Sequence, residues 1–139
     1  MASQKNVSSQ NVSNRMLAGK CLCGAVQYAV ADEFIYAANC HCSNCRRTTG
    51  SAFEPFAGIE RERLSLTKGE DNLLIFGEET GHDTRCKTCG SLLYSVTLVD
   101  EPTIRAAQHI FVGSKAKWFT ITDDLPQYEE HVVIAEGAD

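Results

Sequence analysis

The chain has 139 residues, a formal charge of −5 at neutral pH and a pI of about 5.3, with 43% hydrophobic and 22% charged residues. This length suits one domain with its own core, and the acidic balance disfavours binding to the phosphate backbone of nucleic acids. No apolar run is long enough to span a bilayer. The first 15 residues are polar and lack the apolar segment of a secretory signal, so we expect a cytoplasmic protein. From the charge and the absence of a long apolar run, we expect no nucleic-acid or membrane partner.

The N-terminal region differs in composition from the rest of the chain. Residues 1–17 are rich in Asn, Ser and Gln and poor in large apolar side chains, which predicts a disordered or loosely attached arm. Residues 18–139 alternate short β-branched and aromatic segments with Gly, Asp and Asn, which predicts a single β domain.

Seven segments are predicted to be strands from their β-branched and aromatic content. In chain order they cover residues 25–30, 53–59, 64–67, 73–76, 92–99, 103–107 and 109–112. No window sustains a helical period beyond two turns, so only short helices are expected. They are predicted after Cys42 and around residues 114–118. The predicted fold class is therefore mostly β, with few short helices and no alternating βα units.

Four of the seven cysteines lie in two short turns that each end in glycine. Cys21 and Cys23 belong to a Cys-x-Cys-Gly turn, and Cys86 and Cys89 belong to a Cys-x-x-Cys-Gly turn 65 positions later. Two such turns can present four thiolates to one tetrahedral zinc ion, and the glycines permit the positive φ that such turns need. We interpret the set as a closed, structural zinc site, with four reduced cysteines in ordinary turns as the alternative.

The remaining three cysteines lie within the stretch NCHCSNCRR. In an extended backbone Cys40 and Cys42 point to one side, and a turn would return Cys45 to that side. Three thiolates with one exchangeable position are typical of a catalytic zinc site. The stretch therefore predicts a second zinc with an open coordination position.

Two alternatives to an open site remain. In one, His41, His82 or His109 completes a closed Cys₃His site. Alternation along an extended stretch turns His41 away from its neighbours, which favours a position at the surface or beside the ligands over a role as ligand. In the other, the three thiols bind no metal, and one is a nucleophile or redox thiol activated by Arg46 and Arg47.

Arg46 and Arg47 directly follow the third cysteine of this stretch. They are either an ordinary solvated pair or the binding site of an anionic group, because guanidinium groups recognise carboxylates through paired hydrogen bonds. The sequence has no phosphate-binding glycine loop, no Gly-x-Ser-x-Gly turn and no His-Glu-x-x-His helix. The predicted chemistry therefore rests on the cysteine clusters.

Four blocks, in the order GKCLCGAVQY, NCHCSNCRRTTGSAF, RCKTCGSLLY and HIFVGSKAKW, resemble the glutathione-dependent formaldehyde-activating enzyme family, which also includes centromere protein V. The resemblance extends over about residues 19–131. It implies an Mss4-like, mostly β fold of short antiparallel sheets with zinc-binding turns. It also implies a structural zinc on the first and third blocks and a second zinc on the middle block.

The activity that this resemblance implies joins glutathione to formaldehyde or another small aldehyde, giving S-hydroxymethylglutathione, and is formally that of a zinc-dependent carbon–sulfur lyase run in reverse. The metal residues are then Cys21, Cys23, Cys86 and Cys89 for the structural zinc, and Cys40, Cys42 and Cys45 for the catalytic one. Arg46, Arg47, Phe53 and His109 are the predicted substrate-binding residues.

A non-catalytic zinc-binding module for protein interactions is the alternative function, because binding proteins also use the same fold. A third function, methionine sulfoxide reduction, is set aside. Enzymes of that related family use a nucleophilic cysteine near the C-terminal end, and this sequence has no cysteine after Cys89.

Overall fold

The computed structural model describes residues 15–78, 81–94 and 97–132. Most of the predicted N-terminal arm lies outside these residues. The described residues form two compact units, the first from residues 15–34 and 59–103 and the second from residues 35–58 and 104–132. Within the described ranges, no helix is long and apolar enough to cross a membrane.

Eight strands, one α-helix and two short 3₁₀ turns make up the regular structure of the described residues. The strands are β1 (Met16–Lys20), β2 (Gln27–Ala31), β3 (Tyr36–Cys40), β4 (Glu54–Gly58), β5 (Leu64–Lys68), β6 (Leu73–Glu78), β7 (Gly81–Cys86) and β8 (His109–Ile110). The helix is α1 (Ser43–Thr49), and the 3₁₀ turns are Arg61–Arg63 and Val112–Ser114. The prediction of a mostly β fold with short antiparallel sheets is confirmed.

The first unit contains an antiparallel sheet in the order β1–β2–β5 and the β6–β7 hairpin. Leu17, Tyr28 and Val30 project from β1 and β2 into one buried cluster, as the alternation in β2 predicted. Strand β1 was not predicted, and it begins at Met16, two residues before the expected start of the domain. Its Gly and Ala residues give it little β-propensity, so pairing with β2 and the burial of Leu17 account for it.

The second unit is built on a sheet in the order β4–β3–β8, in which β3 is antiparallel to β4 and parallel to β8. Ala38, Cys40 and Ile110 form its buried cluster. The register pairs Asn39 with His109, and Cys40 with Ile110. This short parallel pairing therefore brings His109 beside the segment that carries the three clustered cysteines.

Several predicted elements differ from the structure. Between residues 92 and 99 the described residues form only isolated bridges at Leu92 and Leu98, and Tyr94 has a positive φ of 73° that interrupts an extended chain. Residues 103–107 form no strand. The last predicted strand is shortened to β8, because Phe111 has a φ of 56° and a 3₁₀ turn follows it. The helix predicted after Cys42 is confirmed as α1.

Candidate metal centres and active site

The four sulfurs of Cys21, Cys23, Cys86 and Cys89 lie within 4.8 Å of one another in the first unit. The Sγ atom of Cys23 lies 3.7 Å from that of Cys21 and 3.8 Å from that of Cys86. A tetrahedral zinc ion with Zn–S bonds of about 2.3 Å requires sulfurs about 3.8 Å apart. The structure thus brings together the predicted set of four thiols, and its spacing fits zinc.

Backbone geometry supports this four-sulfur cluster. The glycine that ends each turn has a positive φ, 83° in the first turn and 79° in the second, as the spacing predicted. The Val26 N–H donates to the Cys21 sulfur at 3.3 Å, and the Cys89 N–H donates to the Cys86 sulfur at 3.4 Å. Hydrogen bonds from backbone N–H groups stabilise thiolates, which are the form that binds metal.

Two polar side chains that the sequence did not indicate also contact these sulfurs. The Asn72 amide donates to the Cys86 sulfur at 3.5 Å, and the Ser91 hydroxyl lies 3.2 Å from the Cys89 sulfur. The Ser91 hydroxyl is the main cause that lowers the pKa of Cys89 to about 5. Neither residue is part of the Cys-x-Cys-Gly or Cys-x-x-Cys-Gly pattern. Their contacts with the sulfurs are therefore visible only in the folded structure.

Cys40, Cys42 and Cys45 form the second cluster, with their sulfurs also within 4.8 Å of one another. Cys40 ends β3, and Cys42 is the N-cap of α1, where its sulfur accepts the Cys45 N–H at 3.3 Å. The turn into the helix therefore returns Cys45 to its two neighbours, as predicted. Among the described side chains, no histidine nitrogen or carboxylate oxygen joins this group of ligand atoms.

Within this cluster, one thiol stabilises the charged form of another. A hydrogen bond with the Cys45 thiol is the main cause that lowers the pKa of Cys40 to about 6, against the opposing effect of burial. The same interaction raises the pKa of Cys45. The thiolate form of Cys40 is thus stabilised by a hydrogen bond with Cys45. A stabilised thiolate suits a site that binds a cation or an electrophile.

A series of hydrogen-bonded side chains, His41, His109 and Asp123, lies next to this cluster, and we call it the histidine chain. His41, between two of the cysteines, is 0% exposed, and its Nε2 lies 2.9 Å from Nδ1 of His109, which is 2% exposed. The Nε2 of His109 lies 3.1 Å from both carboxylate oxygens of Asp123, whose side chain is 48% exposed. The chain connects the buried interior of the second unit with a solvent-exposed carboxylate.

The sequence predicted that His41 lies at the surface or beside the ligands and is not itself a ligand, and the structure places it beside the cluster and buried. Its ring centroid is 5.1 Å from that of Phe53 and 6.1 Å from that of Phe119. Burial is the main cause that lowers the pKa of His41 to about 4, with further contributions from the neighbouring His109, Lys115 and Arg46. The ring is therefore neutral near pH 7.

The predicted substrate-binding residues occupy different positions in the second unit. Phe53 and His109 contact or approach the His41 ring, with centroids 5.1 Å from it in both cases. Arg46 is half-buried on α1, whereas Arg47 on the same helix is exposed. His82 belongs to β7, and its side chain lies outside the described part of the structure.

The fold and the two cysteine clusters define a small, mostly β protein with two sets of thiols that could each hold a metal ion. The family model described as glutathione-dependent formaldehyde-activating enzyme matches residues 16–128. The chain belongs to this family, as the four sequence blocks predicted.

Two relatives carry provisional names as glutathione-dependent formaldehyde-activating enzymes. A protein from Halomonas elongata is 28% identical over 132 residues, which cover 84% of this chain and 73% of that protein. A protein from Pyrenophora teres f. teres is 30% identical over 78 residues, which cover 55% of this chain and 41% of that protein. The chain therefore spans less than half the length of the second relative.

A solved structure of a Rhodobacter sphaeroides protein is similar to part of the chain. It has a TM-score of 0.43 and 32% sequence identity. The overlap covers 55% of this chain and 70% of that structure.

Proposed function

We propose that this protein is a zinc-dependent enzyme of the carbon–sulfur lyase type that joins glutathione to formaldehyde or another small aldehyde, as an S-hydroxymethylglutathione synthase does. The observation that carries this proposal is the gathering of three cysteine sulfurs without a fourth protein ligand among the described side chains. A closed site leaves no position for substrate, whereas a three-ligand site does. Membership of the family supports the choice of the two substrates.

The residues present fit zinc at both clusters. Cys40, Cys42 and Cys45 would hold the catalytic ion, and the pKa of about 6 at Cys40 suits a ligand that must lose its proton. When bound there, zinc supplies a Lewis acid with an exchangeable coordination position. The four-sulfur cluster would hold a structural zinc, because all four positions of a tetrahedral ion are then taken by protein.

The proposed reaction needs no oxidant or reductant. The glutathione sulfur forms a bond to the carbonyl carbon, the carbon–oxygen double bond becomes single, and the thiol proton ends on the former carbonyl oxygen. Arg46 and Arg47 on α1 are the proposed partners of glutathione carboxylates, because guanidinium groups bind carboxylates through paired hydrogen bonds. Phe53 and the buried histidines would shield the reacting atoms from bulk water.

Metal content and turnover test this proposal together. Protein purified without chelator is expected to contain about two zinc ions per chain, and Cys45→Ser about one, because three sulfurs hold the second ion. Exchange between formaldehyde, glutathione and their adduct, followed by NMR, should be faster than the uncatalysed exchange with wild type and equal to it with Cys45→Ser. Asn44→Ser, at an exposed neighbouring position on α1, is the matched control and should behave as wild type.

Two outcomes would contradict the proposal. Loss of the folded circular-dichroism spectrum in Cys45→Ser would make the second cluster a structural element. Exchange at the uncatalysed rate with zinc-loaded wild type would favour the alternative, a non-catalytic zinc-binding module for protein interactions.

A further inference from the structure

One large aromatic side chain of the second unit is exposed. Trp118 is the only tryptophan in the sequence, and it is 76% exposed. Tryptophan is highly buried on average, because its ring carries a large apolar area. Single exposed apolar residues are nevertheless common on protein surfaces, so the surroundings of Trp118 decide whether its exposure has a function.

Trp118 belongs to a turn that three hydrogen bonds hold in place. The Phe119 N–H donates to the Ala116 carbonyl at 3.1 Å, which closes the turn. The Nζ of Lys115 donates to the same carbonyl at 3.1 Å and also to the Phe119 carbonyl. Ala116 is buried, so the base of the turn is packed against the protein. The exposed ring is thus carried by a fixed backbone, which reduces the ordering that a ligand would have to impose on it.

The ring that follows Trp118 in the chain connects it with the three-sulfur cluster. The Phe119 ring centroid is 6.4 Å from that of Trp118, with the rings edge to face, and 6.1 Å from that of His41. It also lies 5.6 Å from that of Phe53. His41 is buried and separates two of the clustered cysteines in sequence. The rings of His41, Phe119 and Trp118 therefore form a series from the cluster to solvent, which we call the aromatic wall.

The aromatic wall has a length that suits a peptide thiol. An extended peptide covers about 3.3–3.6 Å per residue, so a tripeptide such as glutathione reaches about 10 Å. The two steps along the wall, of 6.1 and 6.4 Å between centroids, give it a comparable length. A tripeptide with its sulfur at the three-sulfur cluster can therefore extend to Trp118, whereas a thiol of two or three heavy atoms cannot.

We propose that Trp118 packs against the peptide part of glutathione and thereby determines which thiols the site accepts. This inference rests on the proposed function. The ring would contact a part of the substrate that does not react, and the contact would remove apolar area of both partners from water. A small thiol without a peptide part gains nothing from this contact. The preference for glutathione over small thiols therefore depends on Trp118.

Fluorescence of the zinc-loaded protein tests this contact directly, because Trp118 is the only tryptophan. S-methylglutathione keeps the peptide but cannot form the adduct. Its addition is expected to shift the emission to shorter wavelength and to reach saturation, since the ring leaves water. The matched probe 2-(methylthio)ethanol has the blocked sulfur without the peptide and should cause no shift. An emission that S-methylglutathione leaves unchanged, or that both probes shift equally, would overturn the inference.

Trp118→Ala tests the effect on thiol preference at an exposed position where folding should survive. We expect KM for glutathione to rise about tenfold, while kcat for adduct exchange and KM for 2-mercaptoethanol each change less than about threefold. Zinc content should stay at two per chain. Phe76→Ala removes an aromatic ring of the same 76% exposure from the first unit, so it is the matched control and should change none of these values.

A second variant, Trp118→Phe, keeps an aromatic ring and should retain most of the preference for glutathione. Equal rises of KM for glutathione and for 2-mercaptoethanol in Trp118→Ala would mean that the ring supports the site without recognising the peptide, and would overturn the inference. The fluorescence measurement separates this inference from the proposed function. If wild-type exchange equals the uncatalysed rate while only S-methylglutathione shifts the emission, the proposed function fails and the recognition of the peptide stands.

Discussion

The two cysteine clusters contain the same type of side chain but differ in the number of sulfurs and in the part of the chain that supplies them. The first takes four sulfurs from two turns that lie 65 positions apart, and each turn ends in a glycine with positive φ. The second takes three sulfurs from six consecutive positions, at the junction between β3 and α1. Buried apolar side chains, Val26 and Leu93, pack around the first cluster, whereas a buried histidine pair adjoins the second.

This difference separates stability from chemistry within one small chain. A crosslink between distant positions removes much conformational entropy from the unfolded chain, whereas a crosslink within six positions removes little. The four-sulfur cluster is therefore expected to stabilise the fold. The three-sulfur cluster is expected to contribute less to folding, and under the proposed function its incomplete ligand set leaves a position for substrate.

The largest expected effect is on folding, in Cys86→Ser. Cys86 is buried at the end of β7 and lies 3.8 Å from the Cys23 sulfur, so its loss opens the four-sulfur cluster. Since the binding free energy of a structural zinc is part of the folding free energy, we expect a loss of several kcal/mol from a total of about 5–15 kcal/mol. Thermal unfolding followed by circular dichroism, with Cys45→Ser as the matched comparison, measures the difference. Equal melting temperatures for the two variants would remove the distinction between the clusters.

Chelation should separate the two clusters in time. A colorimetric chelator is expected to remove about one zinc per chain while the circular-dichroism spectrum is unchanged, because an open three-sulfur site exchanges ligands readily. The second zinc should leave more slowly and together with the folded signal. Simultaneous release of both ions would show that the two sites are equally closed.

A smaller effect, on KM for glutathione, is expected from the two arginines of α1 in the second unit. Arg46 has a buried Nε without a described partner, whereas Arg47 is exposed. If Arg46 binds a glutathione carboxylate, Arg46→Gln should raise KM for glutathione about tenfold, which corresponds to a charged hydrogen bond of about 1.5 kcal/mol. Arg47→Gln, with its charge in solvent, should change KM less than threefold. Equal effects would place both arginines in the same role.

The cysteine clusters could be predicted because the spacing within each turn is local, and the two turns of the first cluster share one chemical type although they lie 65 positions apart. Turns with two cysteines and a glycine specify their own geometry, and the helix after Cys42 follows from the same short stretch. Strand β3 was missed, because YAANC contains no β-branched residue. Four of its five residues are buried between β4 and β8, so pairing rather than propensity makes it a strand.

The burial of His41 could not be predicted for the same reason. Alternation of faces indicates exposure only where one face of a strand meets solvent, and β3 is buried on both faces from Ala37 to Cys40. The partners of His41 add a second difficulty, because His109 is 68 positions away and Asp123 is a further 14 positions along the chain. No local pattern carries such separations, so the histidine chain emerges only from the fold.

The smallest expected effect on folding concerns a buried carboxylate that stabilises the first unit in addition to its four sulfurs. Asp32 is buried and accepts hydrogen bonds from the Thr103 hydroxyl at 2.6 Å, the Thr103 N–H at 3.0 Å and the Arg15 guanidinium at 2.9 Å. Burial raises the pKa of Asp32, but these donors together outweigh it and lower the pKa below its usual value. The stabilisation is therefore present above the unfolded-state pKa of about 3.9, and it is lost as the pH falls through the lower folded-state pKa.

Asp32→Asn should therefore be less stable than wild type by about 1–3 kcal/mol at pH 7, with a smaller difference at pH 3. Urea unfolding of both proteins at the two pH values measures this, and zinc release in acid affects both chains equally, so it cancels in the comparison. Thr103→Val, which keeps the N–H and removes the hydroxyl, should show a smaller loss at pH 7. A difference between wild type and Asp32→Asn that stays constant between pH 7 and pH 3 would mean that the charge of Asp32 does not stabilise the first unit, leaving the four-sulfur cluster as its main long-range constraint.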